Sequence, residues 1–181
     1  MTTTELCLQA FPTWLQALGT DAVSLALLLR LEPLPQSGRR AIAAALCYLY
    51  KSLDLIPDGI EDLGYMDDAF VLRVSCAIAL QQAPAAKDVD ATGLLDRLSS
   101  EDSLIRELLE GDYARLHNYV LGLQSGAARG RTVDEIVSDA AACEQFAADI
   151  EQWASAYRPP AFGCDDKTLV KLKAFLSAKL P

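Results

Sequence analysis

Apolar residues recur at intervals of three and four along most of the chain, which is the spacing of one face of an α-helix. Ile42, Leu46, Leu49 and Leu53 form one such series, and the apolar run 69–80 follows it. No stretch alternates apolar and polar residues between turn signals, as a half-buried strand would. The pattern therefore predicts an all-α fold, a single-domain bundle of about seven to nine helices in two packed layers.

Capping signals predict where several of these helices begin and end. The threonines at 2–4 offer N-caps for a first helix, which Gly19 is expected to end before a second helix begins. Thr132 and Glu135 have the spacing of a capping box, in which each side chain bonds the other residue's backbone amide. The helix that starts there is expected to continue to Tyr157, because apolar residues keep the helical period up to that point.

The domain organisation is expected to be one helical domain over residues 1–181. A helix–connector–helix core at 37–82 precedes a C-terminal helical layer at 93–181, with a Pro- and Ala-rich loop between them. Either half alone would have a small core, so the two are not expected to fold separately. The segment 124–131 is expected to be a loop, since it is rich in Gly and Ser.

The most distinctive stretch lies where the two helices of this core meet, and we call residues 54–68 the connector. Pro57 forces the chain to turn there, and Gly64 is expected to end a short helical turn. Tyr65 can pack its ring between the helices, and Asp67 is expected to cap the second one. The connector holds six carboxylates: Asp54, Asp58, Glu61, Asp62, Asp67 and Asp68.

Two interpretations of these carboxylates remain open. They can be helix caps, in which case a buried Asp54 or Asp58 needs a cationic partner. They can also bind a hard divalent cation such as Mg²⁺ or Ca²⁺, which prefers oxygen ligands. The candidate ligands are Asp54, Asp58, Asp67 and Asp68, with Glu61 and Asp62 as additions. The candidate partners in the first interpretation are Arg39, Arg40 and Arg73.

Composition narrows the function further. The formal net charge of −9 does not suit nucleic-acid binding, which needs clustered Lys and Arg. A single histidine, His117, excludes a multi-histidine metal site, and no residue pattern marks a catalytic centre. The five cysteines occur without a CxxC pair, and no signal peptide or membrane-spanning run is visible, so we expect reduced thiols and a cytoplasmic protein.

The run DLIPDGIEDLGYMDD at 54–68, between a Tyr- and Leu-rich helix and an apolar one, resembles the YkvA-like family, a domain of unknown function (1232). The resemblance extends over about residues 37–80. This chain departs from the family pattern at Ser52, at Gly59 and at Glu61–Asp62. The matching residues are Asp54, Leu55, Ile56, Pro57, Asp58, Ile60, Gly64, Tyr65, Asp67 and Asp68. The resemblance implies a helical fold and no settled activity.

Taken together, the sequence favours a non-enzymatic, soluble helical protein that binds another protein or a second copy of itself, without a cofactor. The alternative is a divalent-metal-binding domain or a metal-dependent enzyme that uses the connector carboxylates. A third interpretation, peripheral association with a membrane, rests on the family resemblance alone.

Overall fold

The computed structural model describes residues 1–31, 34–51, 54–90 and 92–181, apart from the side chains of Lys87 and Val89. The all-α prediction is confirmed: nine α-helices lie in this part of the chain. They are α1 (Thr3–Leu29), α2 (Gln36–Tyr48), α3 (Met66–Gln82), α4 (Ala86–Val89), α5 (Leu94–Leu109), α6 (Tyr113–Gly122), α7 (Val133–Ser138), α8 (Ala140–Ala156) and α9 (Asp166–Lys179). Short 3₁₀ turns at Glu110–Asp112 and Leu123–Ser125 flank α6.

A small antiparallel hairpin occupies the segment that was expected to be a loop. Its strands are β1 (Ala127–Ala128) and β2 (Arg131–Thr132), which pair Ala127 with Thr132. Arg129 and Gly130 form the turn with positive φ angles of 54° and 77°. Two-residue strands are too short to show an alternating pattern, which explains why they could not be predicted from the sequence.

The first helix is longer than expected. Thr2 and Glu5 form a complete capping box at its start, as the threonine run predicted. The prediction that Gly19 ends this helix is wrong, because α1 continues without a break to Leu29. A Cβ atom on Gly19 would lie only 3.4 Å from the Tyr157 ring and 3.7 Å from Ala154 of α8. The missing side chain thus allows α1 and α8 to pack closely, although glycine costs about 1 kcal/mol within a helix.

The two helices of the helix–connector–helix core, α2 and α3, pack against each other. Tyr48 at the end of α2 contacts Asp67 at the start of α3. At the opposite end, the Ser37 hydroxyl donates to the carbonyl of Gln82 at 3.4 Å. The helices are therefore antiparallel. The apolar series 42–53 predicts a helix that ends near Leu53. α2 ends earlier, at Tyr48, and Leu53 itself lies outside the described residues.

The capping box at Thr132 and Glu135 is confirmed, but the helix it starts is short. α7 ends at Ser138, and Asp139 adopts an extended conformation with φ −115° and ψ 116°. The Asp139 carboxylate then accepts a hydrogen bond from the Ala141 amide and caps α8. The prediction of one continuous helix is wrong here, because a local cap restarts the chain in a new direction.

All nine α-helices contribute to one cluster of buried apolar residues. α3 lies at its centre and packs most extensively against α2 and α5, so the segments before and after the Pro- and Ala-rich loop share this core. Four cysteines are buried within the helices, and Cys164 is exposed. Among the described helices, none combines the length and the apolar character needed to cross a bilayer.

Candidate functional site

The connector folds back on itself through short backbone hydrogen bonds. The Ile60 amide donates to the Pro57 carbonyl at 2.9 Å, and the Gly64 amide donates to the Ile60 carbonyl at 2.9 Å. A Cβ atom on Gly64 would lie 2.2 Å from the carbonyl oxygen of Asp58, which is far inside van der Waals contact. Glycine is therefore required at this position by close backbone approach, and Tyr65 follows it with a positive φ of 64°.

Asp67 ties three parts of this region together. Its Oδ2 accepts a hydrogen bond from the Tyr48 hydroxyl at 2.6 Å and from the Ile56 amide at 3.0 Å. The Tyr48 hydroxyl in turn accepts from the Leu55 amide at 2.9 Å. One carboxylate oxygen thus links the end of α2 and the connector backbone to the start of α3.

The expectation that Asp67 caps α3 is wrong. The helix begins at Met66, its N-cap residue is Tyr65, and no side chain caps it. Asp67 is the second residue of the helix and is completely buried, so its carboxylate meets the connector instead. Burial raises the pKa of Asp67, whereas hydrogen bonds from Tyr48 and Ile56 favour its ionised form.

Asp68 is the most unfavourably placed carboxylate of the group. It is only 3% exposed. Burial raises its pKa well above the usual value, and the negative charges of Asp67, Asp58 and Asp54 raise it further. Desolvation and like charges both disfavour the ionised form of Asp68, and a cation close to it would offset that cost.

Asp54 and Asp58 lie closer to the surface. Burial and then the neighbouring Asp67 and Asp58 raise the pKa of the half-buried Asp54 to about 7, and Lys51 opposes this shift. Partial loss of water raises the pKa of Asp58, although its side chain is exposed, and a hydrogen bond with Tyr65 opposes that shift. We call Asp54, Asp58, Asp67 and Asp68 the carboxylate cluster.

The other two connector carboxylates point elsewhere. Glu61 is exposed. Asp62 pairs with Lys171 of α9 at 3.2 Å, and its backbone bridges that of Phe162. The four candidate ligands therefore come together, while Glu61 and Asp62, which were considered as additions, do not join them.

The predicted arginine partners are wrong. Arg73 is completely buried and binds Glu101 at 2.7 Å and the Ala69 carbonyl at 2.9 Å. It follows Asp68 by five positions, which turns it about 140° around the helix axis, towards α1 and α5 instead of the connector. Arg40 pairs with Asp134 of α7. Within the described residues, no Lys or Arg forms an ion pair with any member of the carboxylate cluster.

Three carboxylate oxygens are consequently buried without a hydrogen-bond donor in this part of the protein. They are Asp54 Oδ1, Asp67 Oδ1 and Asp68 Oδ2. The described His, Cys, Asp and Glu side chains nevertheless contain no group of three arranged closely enough to hold a metal ion directly. The cluster is thus a group of neighbouring carboxyl groups, without a closed set of metal ligands.

Aromatic side chains lie beside the cluster. The Tyr65 ring packs edge-on against Tyr157, with ring centroids 5.1 Å apart, and Trp153 stacks on Tyr157 at 5.2 Å. Burial raises the pKa of the Tyr157 hydroxyl, with Asp68 as the next cause, and this hydroxyl donates to the Leu15 carbonyl at 2.7 Å. The position of Tyr157 beside the cluster could not be predicted from the sequence, because this residue follows α8, far from the connector in the chain.

Residues 39–73 match the family model described as "Protein of unknown function (DUF1232)", which confirms the resemblance for this segment. The matched segment contains most of α2, the whole connector and the start of α3, and therefore all of the carboxylate cluster. Neither the search of curated proteins nor the search of solved structures gave a match.

Proposed function

We propose that the carboxylate cluster binds a hydrated divalent cation, Mg²⁺ or Ca²⁺, and that the bound cation stabilises the junction of α2 and α3. The observation that carries this proposal is the set of buried oxygens on Asp54, Asp67 and Asp68 that lack a donor in the described structure. An ionised carboxylate that is removed from water without a partner costs several kcal/mol. A cation offsets that cost for all members of the cluster at once.

The arrangement favours a cation that keeps much of its water. Asp67 Oδ2 already accepts hydrogen bonds from Tyr48 and Ile56, so only its Oδ1 is available to a cation. Mg²⁺ binds proteins through one or two carboxylates and retains several waters, which can reach the remaining oxygens. Coordination through water is consistent with the described residues, among which no three side chains are placed to bind one metal ion directly. The exposed Asp58 and half-buried Asp54 provide the entrance.

Thermal unfolding with and without the cation tests this proposal. The protein is first stripped with EDTA and then melted at slightly alkaline pH with millimolar Mg²⁺ or Ca²⁺. A ligand that binds only the folded state at 100 times its Kd adds about 2.7 kcal/mol, which for this chain length corresponds to roughly 5–10 °C in Tm. No shift with either cation would refute the proposal.

Two variants locate the effect. Asp54→Asn removes one charge from the cluster at a carboxylate whose Oδ1 is buried without a donor in the described structure, and should reduce the shift. Glu61→Gln removes a charge from the same connector outside the cluster, and should respond as the wild type does. An equal loss in both variants would indicate a general surface-charge effect and not a site.

The other expectations from the sequence stay predictions. They are a non-enzymatic protein-binding role, self-association, peripheral association with a membrane and a cytoplasmic location. The cation proposal takes precedence because Asp54, Asp67 and Asp68 each have a buried oxygen that lacks a donor in the described structure.

A further inference from the structure

A second charged site lies where α1, α2 and the α7–α8 junction meet, away from the connector. A cavity of about 190 Å³ opens there, and its charged lining residues are Arg30, Arg39 and Glu144. Two positive charges and one negative charge leave the lining with a net charge of +1. This local charge is opposite in sign to the formal net charge of the protein, which is −9.

Arg30 and Glu144 form an ion pair, so the charge of each is compensated. The Arg30 guanidinium donates two parallel hydrogen bonds to the Glu144 carboxylate, at 2.6 Å from Nε and 2.5 Å from Nη2. This bidentate geometry is the strongest that an arginine makes with a carboxylate. The charge that remains uncompensated in the cavity therefore belongs to Arg39.

Arg39 lacks a carboxylate partner in the described structure. Its Nε is buried without a hydrogen-bond acceptor, whereas the adjacent Arg40 pairs with Asp134. The side chain instead contacts the thiol of Cys143. Burial raises the pKa of that thiol, with Arg39 opposing the shift, so the thiol supplies no negative charge near neutral pH.

The helix that carries Arg39 does not explain its position either. Arg39 lies close to the N-terminus of α2, where the helix dipole disfavours a positive charge. A half-buried guanidinium with a free Nε is pre-arranged for an oxyanion, because its planar fork matches the two oxygens of a carboxylate or phosphate group.

We propose that this cavity binds a small oxyanion, a phosphate or carboxylate group, through Arg39. The volume of about 190 Å³ suits a group of this size and not a large ligand. Glu144 limits the affinity, because it occupies Arg30 and carries a like charge at the edge of the cavity. The site is independent of the carboxylate cluster, and either proposal can fail without the other.

The test compares sodium phosphate with sodium chloride at matched ionic strength, in EDTA so that divalent cations at the connector do not contribute. Thermal unfolding and isothermal titration of the wild type should show saturable binding of phosphate, and a parallel titration with acetate tells a carboxylate from a phosphate preference. A wild type that responds equally to phosphate, acetate and chloride would overturn the proposal without any variant.

Matched variants then assign the site. Arg39→Gln should weaken phosphate binding by about tenfold or more, because it removes a charge-assisted pair of hydrogen bonds. Arg40→Gln changes the neighbouring arginine, which already has Asp134, and should bind as the wild type does. Glu144→Gln should tighten binding, since it frees Arg30. Equal affinities of the Arg39→Gln and Arg40→Gln variants would contradict the assignment, and Glu144→Gln tests it even if Arg39→Gln fails to fold.

Discussion

The Tyr48 hydroxyl donates a 2.6 Å hydrogen bond to the Asp67 carboxylate, and the two residues are 19 positions apart in the sequence. Both side chains are buried. The same hydroxyl accepts from the Leu55 amide, so a single tyrosine bonds both the connector and α3. This bond fixes the antiparallel pair at the end where the carboxylate cluster lies.

Tyr48→Phe should lower the free energy of unfolding by about 2–6 kcal/mol. The substitution keeps the ring but leaves the Leu55 amide without its acceptor, and Asp67 loses a donor; each such loss costs about 1–3 kcal/mol in a buried setting. Urea unfolding followed by circular dichroism measures the change. Tyr119→Phe is the matched control, since its hydroxyl binds the exposed Lys51, and it should cost less than about 1 kcal/mol. Equal costs would contradict the proposed role of Tyr48.

Gly64→Ala should destabilise the protein, whereas Gly59→Ala in the same connector should not. The new methyl group at 64 would meet the Asp58 carbonyl oxygen at 2.2 Å, and the backbone has to move. Overpacking of this kind costs about 1–3 kcal/mol. At Gly59 nothing lies within 4 Å of the added atom, so the change should be close to neutral. Chemical denaturation of both variants gives the comparison, and a similar stability for the two would count against the described turn.

Two predictions about helix ends show what can be predicted from the sequence and what cannot. The capping box of Thr132 and Glu135 was predictable, because both partners lie within one turn of a helix. The continuation of α1 through Gly19 was not predictable, since it depends on close packing against Ala154 of α8 and against Tyr157, which follows that helix. Local sequence signals indicate where a helix tends to begin or end. Tertiary packing overrides such a signal where a glycine allows two segments to pack closely.

The same distinction between local and long-range information applies to the candidate site. The acidic connector and its likeness to a family could be found from the order of residues alone. Which of the carboxylates lie near one another could not be found in this way, because Asp62 forms an ion pair with Lys171 of α9 instead. The sequence predicted that Asp67 caps its own helix. In the structure its carboxylate instead accepts hydrogen bonds from the Tyr48 hydroxyl and the Ile56 amide. Long-range partners decide the chemistry of each carboxylate, and a periodic pattern contains no information about them.

Without divalent cations, the stability of the protein should fall as the pH rises from about 4 to about 7. The pKa of Asp54 is raised from 3.8 to about 7 in the folded protein, and that of Asp68 is also raised. The folded state therefore binds more protons than the unfolded state in this range, and each proton lost on raising the pH disfavours folding. This sign is opposite to that of a salt-bridged aspartate, whose pKa is lowered.

Melting temperatures in EDTA across this pH range measure the effect. Asp54→Asn should flatten the decrease, because the amide stays neutral at every pH. Glu61→Gln should leave the slope unchanged, since Glu61 is exposed and outside the cluster. A wild-type stability that rises steadily with pH in EDTA would show that the cluster does not retain protons.

Protons and the cation should compete for the carboxylate cluster. Because Asp54 holds a proton up to about pH 7, a cation that binds there must displace it. The affinity for Mg²⁺ or Ca²⁺ should therefore increase with pH, by up to about tenfold per unit for each proton released, and level off above the pKa. Isothermal titration in two buffers of different ionisation enthalpy counts the protons released. Asp54→Asn should lower that number and Glu61→Gln should not, whereas a cation affinity independent of pH would place the bound ion at carboxylates other than these.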